Sequence, residues 1–435
     1  MVLWFLLLIG VMIVIHELGH YWAARWFDIR VDTFSFGFGP RLFGFKKGET
    51  DFRVSAIPFG GYVRMTGEQP GDASADDPRS FQAKPRWQRL IVVFGGPFMN
   101  LVLAVALLTG LFMWRFPKTP PHEVSGVVGV VLPESSAARA GIREGDRITR
   151  LDGMEYPSWE DIALKVLSSP GQPLRLSYDR NGVEKETTLV PEMDNRDGIG
   201  SAGWGEQMEI QIGGVQPGKD AERQGLKPGD VLVSIGGQPI RSSMKIREVV
   251  KGSQGKPVEI VYRRDGKTFT ARVTPAEGEL DGQKTWMIGV QLEPRYVFVR
   301  LGPVEALRES IHANVKSASL IYQFLHGIVE RRMSPRSLEG PIRMAQISGE
   351  AAKEGVISYL SLMAMVSLNL AIFNLLPIPI LDGGSILLLL VEMVVRRDLS
   401  LQVKEAVLKF GFVFLLMVVM FVLYNDIRKI MPMGG

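Results

Sequence analysis

The first 27 residues constrain the fold of this chain more than any other stretch. Residues 2–15 carry no charge, and the apolar run then continues through His16, Glu17 and His20. A helix that crosses a bilayer core of about 30 Å needs roughly 20 mostly apolar residues, so residues 1–27 are long enough to span a membrane. Because ionisable side chains at membrane depth are costly, they tend to mark functional positions. This stretch therefore predicts a first transmembrane helix that carries a functional site.

The sequence HELGH within this helix fits the pattern H-E-x-x-H. Two His four positions apart share one helix face, so His16 and His20 can bind Zn²⁺ through their imidazole nitrogens. Glu17, one step further on, can then act on a water molecule at the metal. The alternatives are a signal peptide and a plain membrane anchor. A signal peptide would begin with basic residues, whereas the first basic residue here is Arg25, which favours a metal site inside the membrane.

The overall composition indicates membrane spans joined to soluble modules. The 435 residues are enough for several domains, and a mean hydropathy of +0.11 stands beside 22% charged residues. The net charge of +4 is small, and no basic run alternates with aromatic residues as in a nucleic-acid groove. The absence of cysteine excludes disulfides and thiolate ligands. Since the chain has five His, a third zinc ligand is expected to be a carboxylate.

Residues 28–89 form a segment rich in Arg and Lys between the first two apolar stretches. By the positive-inside rule this segment is cytoplasmic, which puts the N-terminus outside. The sequences VDTFSFGFGPRLFGF and DFRVSAIPFGGYVRM alternate apolar and polar residues and contain several glycines, a pattern that predicts a β-hairpin or small sheet. Its aromatic residues indicate contact with the membrane, although a soluble cytoplasmic hairpin is an equal alternative.

A second span is predicted at residues 90–115, where a charge-free run lies between Arg89 and Arg115. Its sequence GGPFMN has small residues that favour close helix packing. Beyond a Pro-rich linker, residues 138–153 align with residues 222–237 at a constant offset of 84, and Gly, Asp and apolar positions match. A repeat of this size predicts two similar globular modules, at residues 122–196 and 206–293.

The C-terminal third of the chain predicts further helices. Residues 303–329 show an apolar helical stripe, and residues 303–352 are expected to form amphipathic helices on the outer membrane surface. Packing of the stripe against the second module is the alternative. A third transmembrane region is predicted at 355–395 and a fourth span at 409–425. Pro377 and Pro379 must break the helix of the third region, and such breaks are expected where a site is lined.

The third region contains Asp382, and no other Asp, Glu, Lys, Arg or His lies between positions 355 and 391. A lone Asp in a span is normally a metal ligand, a proton relay or half of an ion pair. With two His and a Glu already placed in another span, metal ligation is the economical interpretation. The basic residues on either side place the His pair and Asp382 towards the cytoplasmic ends of their spans.

Over its whole length the chain resembles the site-2 protease family of intramembrane zinc metalloproteases. The resemblance rests on HELGH, FGFGP, PFGGYVRM, GGPFMN, the two repeats, LEGPI and N-x-x-P-x-P-x-L-D-G. The repeats are themselves similar to the PDZ domains of bacterial proteases, which capture extended peptides at a sheet edge, although plain spacer modules are the alternative. The expected fold is a multi-pass α-helical membrane protein with four transmembrane helices, a membrane-associated β-loop and two extracytoplasmic PDZ domains.

The resemblance implies a role for each site residue. His16, His20 and Asp382 would be the zinc ligands, and Glu17 the general base. Residues of the broken helix would hold an unwound substrate, and a β-loop segment would pair with that substrate as an edge strand. The substrate-binding residues implied in this way are Asn374, Pro377, Pro379, Phe34, Phe36, Gly37 and Gly39. Close relatives often have His after LDGG, whereas this chain has Ser385, which puts no ligand in doubt.

The function implied by the resemblance is cleavage of single-pass transmembrane proteins that another protease has already trimmed. The substrate would be an anti-sigma factor or a remnant signal peptide. The protein would lie in the bacterial inner membrane, with the PDZ pair in the periplasm. The PDZ pair would act as a size filter. Membrane lipid is an expected partner and nucleic acid is not. Two other classes stay open: a non-catalytic scaffold with a structural metal, which would not need Glu17, and an ion transporter that uses His16, His20 and Asp382 as a relay.

Overall fold

A computed structural model describes residues 1–68, 77–118, 126–193, 199–280, 283–295, 297–330 and 340–430. The chain divides into two compact units. The first unit consists of Met1–Phe116, Arg300–Gln323 and Leu338–Gly435, and the second of Pro117–Val299 and Phe324–Ser337.

The described helices and strands follow one another along the whole chain. The helices are α1 (Val2–Trp26), α2 (Arg86–Trp114), α3 (Ser136–Arg139), α4 (Trp159–Leu167), α5 (Asp220–Arg223), α6 (Ser243–Gly252), α7 (Pro303–Val329), α8 (Pro341–Glu354), α9 (Val356–Asn374), α10 (Asp382–Val395) and α11 (Leu401–Ile430). The strands are β1 (Val31–Lys47), β2 (Thr50–Met65), β3 (Phe116–Lys118), β4 (Val128–Val131), β5 (Arg147–Leu151), β6 (Met154–Glu155), β7 (Leu174–Arg180), β8 (Val183–Leu189), β9 (Glu192–Met193), β10 (Gly200–Ser201), β11 (Trp204–Glu206), β12 (Ile210–Val215), β13 (Val231–Ile235), β14 (Gln238–Pro239), β15 (Val258–Arg264), β16 (Lys267–Val273), β17 (Ala276–Leu280), β18 (Gln283–Met287), β19 (Val290–Pro294) and β20 (Val297–Val299).

Among the described residues, four helices are long and apolar enough to cross a membrane, namely α1, α2, α9 and α11. Their number agrees with the predicted four spans. The third region is interrupted as predicted, because α9 ends at Asn374 and α10 begins at Asp382, with Pro377 and Pro379 between them. The fourth helix is longer than residues 409–425, since polar residues at both ends, including Lys404 and Asp426, continue the helix.

Helices α1 and α2 pack with their backbones in direct contact. A Cβ atom on Gly19 would lie 2.1 Å from the carbonyl oxygen of Gly95, and a Cβ on Gly95 would lie 2.6 Å from the carbonyl oxygen of Gly19. Any side chain at either position would therefore force the helices apart. The close packing predicted from GGPFMN is confirmed, and it is the small-residue contact common between membrane helices.

Strands β1 and β2 are both sharply bent, so that two strands form a sheet four segments wide. Residues 31–36 of β1 pair with 61–65 of β2 on one side and with 51–54 on the other. The second half of β1 pairs with residues 50–55. The predicted β-structure of this region is confirmed. The second half of β1 exposes the large side chains Leu42, Phe43 and Phe45, which fits the predicted membrane contact.

The polar and apolar faces of α7 are reversed relative to a helix of a soluble protein. Within the first unit its buried positions are the small or polar residues Ala306, Ser310 and Asn314, and the Ser310 hydroxyl donates to the carbonyl of Val105 in α2, 2.8 Å away. The opposite face exposes large apolar side chains: Val304, Leu307, Ile311, Val315 and Tyr322. The amphipathic pattern is confirmed, and its place at the membrane surface stays a prediction.

The motif LEGPI belongs to the start of α8, of which the structure describes Gly340 onwards. The carboxylate of Asp426 in α11 accepts hydrogen bonds from the backbone N–H groups of Gly340, Ile342 and Arg343 at 2.9, 3.0 and 3.2 Å. A helix leaves its first N–H groups without partners inside the helix, so a buried carboxylate from a neighbouring helix satisfies them. The motif therefore fixes α8 to the end of α11.

The second unit contains the predicted pair of similar modules. In the first module the strand order is β6-β5-β7-β8, and in the second it is β16-β15-β13-β12-β19, with β14 on β13. Each module has its own hydrophobic core. The repeat extends into these cores, because buried residues stand 84 positions apart: Leu151 and Ile235, Ile162 and Ile246, Leu176 and Ile260, Leu189 and Val273.

Each module also contains a bidentate ion pair between a partly exposed Arg and a buried Asp. Arg180 donates from two nitrogens to the buried Asp146, both at 2.7 Å, and Arg264 does the same to Asp230 at 2.6 Å. The two Asp are the matching acidic positions of the repeat, which explains why the G-D pair recurs. Bidentate pairing gives both energy and fixed geometry.

The predicted end of the first module at residue 196 is wrong. Strand β11 pairs with β4 of the same module, and Ala202 is part of its core. The module therefore continues to Glu206. The residues from 194 to 198, where the boundary was predicted, lie outside the described part of the chain.

Candidate active site

Three side chains from two helices converge inside the first unit. His16 and His20 of α1 lie one turn apart with their rings edge to face, and their Nε2 atoms are 3.3 Å from each other. Asp382, the first residue of α10, places Oδ2 3.1 Å from Nε2 of His16 and Oδ1 3.5 Å from Nε2 of His20. The structure thus brings the three predicted ligands together, with one atom from each lying within 4.8 Å of the others.

The spacing of these atoms fits Zn²⁺. Zinc binds His nitrogen and carboxylate oxygen at about 2.0–2.2 Å in a tetrahedral arrangement, which puts neighbouring ligand atoms roughly 3.3 Å apart. The three observed distances lie close to that value. Gly96 of α2 supports the same interpretation, because a Cβ there would lie 2.3 Å from Nε2 of His20 and 2.8 Å from Cε1 of His16. The absence of a side chain at Gly96 leaves the space that the two imidazoles and an ion require.

Helix α2 also orients the two imidazole rings. Nδ1 of His20 lies 2.9 Å from the backbone carbonyl of Val92, and Nδ1 of His16 lies 3.2 Å from the side-chain amide of the fully buried Asn100. Hydrogen bonds to the outer nitrogen of a metal-binding His fix its orientation. Sequence reasoning treated GGPFMN as a packing motif and missed Asn100. Its signal was an amide in an otherwise apolar span.

Glu17 lies buried beside the β-loop. A Cβ on Gly61 of β2 would lie 3.1 Å from Cγ of Glu17. The backbone of β2 therefore lies directly against the predicted general base. The catalytic role of Glu17 stays a prediction.

The segment between α9 and α10 folds back over the start of α10. A Cβ on Gly383 would lie 2.2 Å from the carbonyl oxygen of Leu376, and one on Gly384 would lie 2.4 Å from that of Ile378. The two glycines of LDGG are therefore required for Asp382 to stand at the beginning of the helix. Among the predicted substrate-binding residues in this segment, Pro377 is exposed, while Asn374 and Pro379 are half-buried.

The predicted edge-strand position of Phe34 and Phe36 is wrong. Phe34 pairs with Val63 on one side and Phe52 on the other, and Phe36 likewise has two partners, so both belong to an inner strand. Within the described residues, the segment of this sheet that has one partner and adjoins α1 is 61–65. Alternating apolar residues look alike in inner and edge strands, so the sequence could not distinguish them.

Gly37 and Gly39 lie at the bend of β1. Both have φ of +87°, a conformation that favours glycine, and a Cβ on Gly37 would lie 2.7 Å from the carbonyl oxygen of Ile57. The FGFG sequence therefore makes the bend that allows the sheet to double back. Whether these residues also contact substrate stays a prediction.

The opposite end of α10 is held by charges that sequence reasoning did not single out. The fully buried Glu392 accepts from Lys404 of α11 at 2.7 Å and lies 3.8 Å from Arg89 of α2. Asp398 pairs with Arg89 and Arg86, both at 3.1 Å. Burial acts to raise the pKa of Asp398, and the hydrogen bonds from the two guanidinium groups outweigh it, so this pKa lies below its usual range. Helix α10 is thus tied to α2 and α11 at the end opposite Asp382.

Comparison with known proteins gives matches along the whole chain. The model of peptidase family M50 matches residues 4–418. The regulator of sigma-E protease RseP from Salmonella typhimurium is 31% identical over 445 residues, which cover 98% of both chains. RseP from Escherichia coli K12 is 29% identical with the same coverage, and a Neisseria meningitidis serogroup A protein named as a zinc metalloprotease is 30% identical over 98% of both chains.

One solved structure, the PDZ domain of an SdrC-like protein from Listeria monocytogenes, matches 19% of this chain and 86% of its own, at 24% identity and a TM-score of 0.18. The family model and the full-length relatives match nearly the whole chain, and the structure has four helices of membrane-spanning length. They show that this integral membrane protein is a zinc metalloprotease and that it belongs to peptidase family M50, the site-2 protease family.

Proposed function

We propose that this metalloprotease hydrolyses peptide bonds within transmembrane segments of single-pass proteins that have already been trimmed. The observation that carries the proposal is the convergence of His16 and His20, from a membrane-length helix, with Asp382 of α10. The site is therefore built from α1 and α10 of the first unit and not from the modules of the second unit. Membership of a zinc metalloprotease family argues against a non-catalytic scaffold and against an ion transporter.

In this proposal His16, His20 and Asp382 hold the metal, and Glu17 moves the proton. Zinc bound at this site supplies Lewis acidity, which polarises a peptide carbonyl and makes water a better nucleophile near neutral pH. A carboxylate oxygen of Glu17 accepts the proton of the attacking water and then passes it to the leaving amine nitrogen. The backbone of β2, which lies against Glu17 at Gly61, keeps this side chain in place between the two transfers.

A substrate helix must unwind before its peptide bond can reach the site. Residues 61–65 have one strand partner within the described residues and lie next to α1, so they offer an edge to an extended substrate. Pairing there would set the substrate backbone beside Glu17 and replace hydrogen bonds lost from the substrate helix. The amide of Asn374 would donate to the oxyanion that develops during attack, and Pro377 and Pro379 would help hold the unwound segment.

The proposed substrates are anti-sigma-factor-like proteins and remnant signal peptides. The proposal is supported by relatives that are named regulators of sigma-E protease and that match over 98% of their length. It further places the chain in the bacterial inner membrane, with the modules of the second unit in the periplasm and the metal site towards the cytoplasm. The basic loop after α1 supports that orientation.

We assign the two modules of the second unit as PDZ domains that act as a size filter. They stand in the chain between α2 and α7, on the side opposite the proposed metal site by the positive-inside rule. A folded outer domain on a substrate would collide with them, whereas a short stub would pass. Excluded volume alone is enough for this selection.

Peptide capture is a second candidate role for the second module. A groove of about 530 Å³ runs between α6 and β19, and β19 is the last strand of its sheet. Its lining is mostly apolar and includes Met244, Ile246, Val250, Ile288, Val290 and Leu292. An apolar groove beside a strand edge is the arrangement that binds extended peptides.

The deciding experiment incubates the purified protein with trimmed and untrimmed single-pass substrates, with and without a metal chelator. We expect cleavage of the trimmed substrate within its transmembrane segment, and loss of cleavage with the chelator. Cleavage confined to segments outside the membrane would contradict the proposal. Equal cleavage of both substrates would remove the size filter but not the protease.

A further inference from the structure

A tight turn comes directly before Asp382 and has an unusual residue at its third position. The N–H of Leu381 donates to the carbonyl of Ile378 at 3.1 Å, so residues 378–381 form a β-turn with Pro379 and Ile380 at its centre. Ile380 has a φ of +82°. A proline followed by a residue of positive φ makes a type II turn, whose third position ordinarily holds Gly or Asn.

Isoleucine is poorly suited to this position. A β-branched side chain with positive φ crowds its own backbone, and this conformation persists only where the surroundings enforce it. Among the non-glycine residues that the structure describes with positive φ, Ile380 is the one with a β-branched side chain. Glycine would adopt the same turn without strain, so the isoleucine side chain is present at a cost in stability.

Close backbone contacts on two sides enforce the turn. A Cβ on Gly384 would lie 2.4 Å from the carbonyl oxygen of Ile378, so the turn lies directly against the first turn of α10. On another side, a Cβ on Gly411 of α11 would lie 2.3 Å from Cβ of Pro379. The turn is therefore held between α10 and α11, where α10 begins at Asp382.

Packing inside the first unit does not explain the isoleucine. Ile380 is 40% exposed, so its side chain gains little from burial. It stands two residues before Asp382, and consecutive Cα atoms are 3.8 Å apart, so the Cα atoms of the two residues are separated by at most about 7.6 Å. Asp382 itself places Oδ2 3.1 Å from Nε2 of His16. Ile380 thus adds exposed apolar surface at the edge of the proposed metal site.

We propose that Ile380 is a specificity-determining residue, whose side chain contacts an apolar side chain of the unwound substrate next to the bond that is cut. A transmembrane segment consists mostly of apolar residues, so it supplies the matching surface. Bilayer lipid is also apolar, but contact with lipid does not require a side chain at a strained position. The inference rests on the proposed function and names the part of the substrate that the site recognises.

The test compares full-length purified variants on three substrates, whose transmembrane segment carries Leu, Ala or Ser on both sides of the cleaved bond. Ile380→Gly suits the turn and removes the side chain. We expect its kcat/KM for the Leu substrate to fall about 10- to 100-fold, and that for the Ser substrate to change little, because the apolar contact is lost. Ile380→Val removes one methylene group and should give an intermediate loss.

Zinc content and unfolding temperature separate this role from a structural one. Both should stay in Ile380→Gly at the level of the unmodified protein, because relief of strain offsets the flexibility that glycine adds to the unfolded chain. Ile380→Asn, which also tolerates positive φ, is a second variant with the same expected loss on the Leu substrate. The control is Arg396→Gly at the end of α10, where φ is +60°, and it should leave the selectivity unchanged.

Three results would overturn the proposal. The first is a ratio of kcat/KM for the Leu and Ser substrates that is the same in the folded Ile380 variants as in the unmodified chain. The second is loss of zinc from these variants, since Ile380 would then support the metal site. The third is a loss of activity that depends on the lipid of the vesicle and not on the substrate. Failure of the unmodified protein to cleave any of the three substrates would instead refute the proposed function itself.

Discussion

A single substitution can separate the proposed proton transfer by Glu17 from the proposed metal binding by His16 and His20. In Glu17→Gln the side-chain volume is kept, but the amide cannot take a proton. We expect zinc content to stay at the level of the unmodified protein and cleavage to fall by about 10²- to 10⁴-fold or more, the usual contribution of a general base. Metal analysis of the purified variant, together with a cleavage assay, checks both parts. Near-normal turnover would mean that water is activated by another group.

Asp382 should behave differently, because it is the proposed third ligand. In Asp382→Ala the two His hold zinc weakly, so zinc occupancy and cleavage should fall together. Glu405→Ala is a suitable control, since Glu405 lies exposed on α11 and pairs with Lys409. Full zinc occupancy in the Asp382 variant would show that this carboxylate is not a ligand.

The approach of α2 to α1 can be tested through two glycines of the same helix. Gly96→Ala would drive a Cβ into both imidazole rings, so we expect a loss of zinc affinity of at least about tenfold. Gly110→Ala is the matched control, because a Cβ at that position meets no atom within 4 Å among the contacts described. Chelator competition on both variants measures the difference. Equal zinc affinities in the two variants would mean that α2 can shift to accommodate the added methyl group without disturbing the site.

The bidentate ion pair of the second module provides a test of its stability. Asp230→Asn leaves the partly exposed Arg264 without its charged partner, and losing hydrogen bonds to a charged group costs about 1.5–3 kcal/mol of unfolding free energy for that module. The exposed turn residue Asp265 offers the same chemical change as a control, since its φ of +51° also suits Asn. Hydrogen exchange of β13 and β15 should accelerate in the Asp230 variant alone. Unchanged protection of β13 and β15 from hydrogen exchange would show that the hydrophobic core keeps the module stable without the ion pair.

The sequence predicted those features of the site whose residues are recognisable within one short stretch of the chain. HELGH lies on one helix turn, and a lone Asp in a span stands out because of its solvation cost, so the three candidate ligands could be predicted. Asn100 stood out as an amide in an apolar span, but its contact with His16 could not be predicted, because His16 stands 84 positions away and helix packing brings the two together. The sequence likewise did not show that residues 31–36 of β1 pair on both sides. The bend at Gly37 and Gly39 produces this pairing, and the alternation of apolar and polar residues does not indicate it.

The size filter is a property of the complete chain and is tested by removing residues 124–293 with a suitable linker. We expect trimmed substrates to be cleaved at a largely unchanged rate, and untrimmed substrates, which the complete chain refuses, to be cleaved as well. The quantity to compare is the ratio of the rates for long and short substrates, in the same membrane and at matched expression.

Two outcomes of this comparison would contradict the filter. An unchanged ratio would favour capture of peptides in the groove between α6 and β19. Loss of all cleavage by a folded, zinc-loaded deletion protein would instead mean that the modules deliver the substrate. Zinc content must therefore be measured on the deletion protein before the rates are compared.

The distance in sequence between the parts of the metal site has a consequence for biosynthesis. His16 and Asp382 stand 366 positions apart, at opposite ends of the chain. At a synthesis rate of roughly 5–20 residues per second, the ribosome needs about 20–70 s to pass from one to the other. During that interval the nascent protein has HELGH but lacks its proposed third ligand, so zinc is held weakly. With Asp382 as that ligand, we expect the protease to become active only after residue 382 has been synthesised, and a chain that stops before it to be inactive.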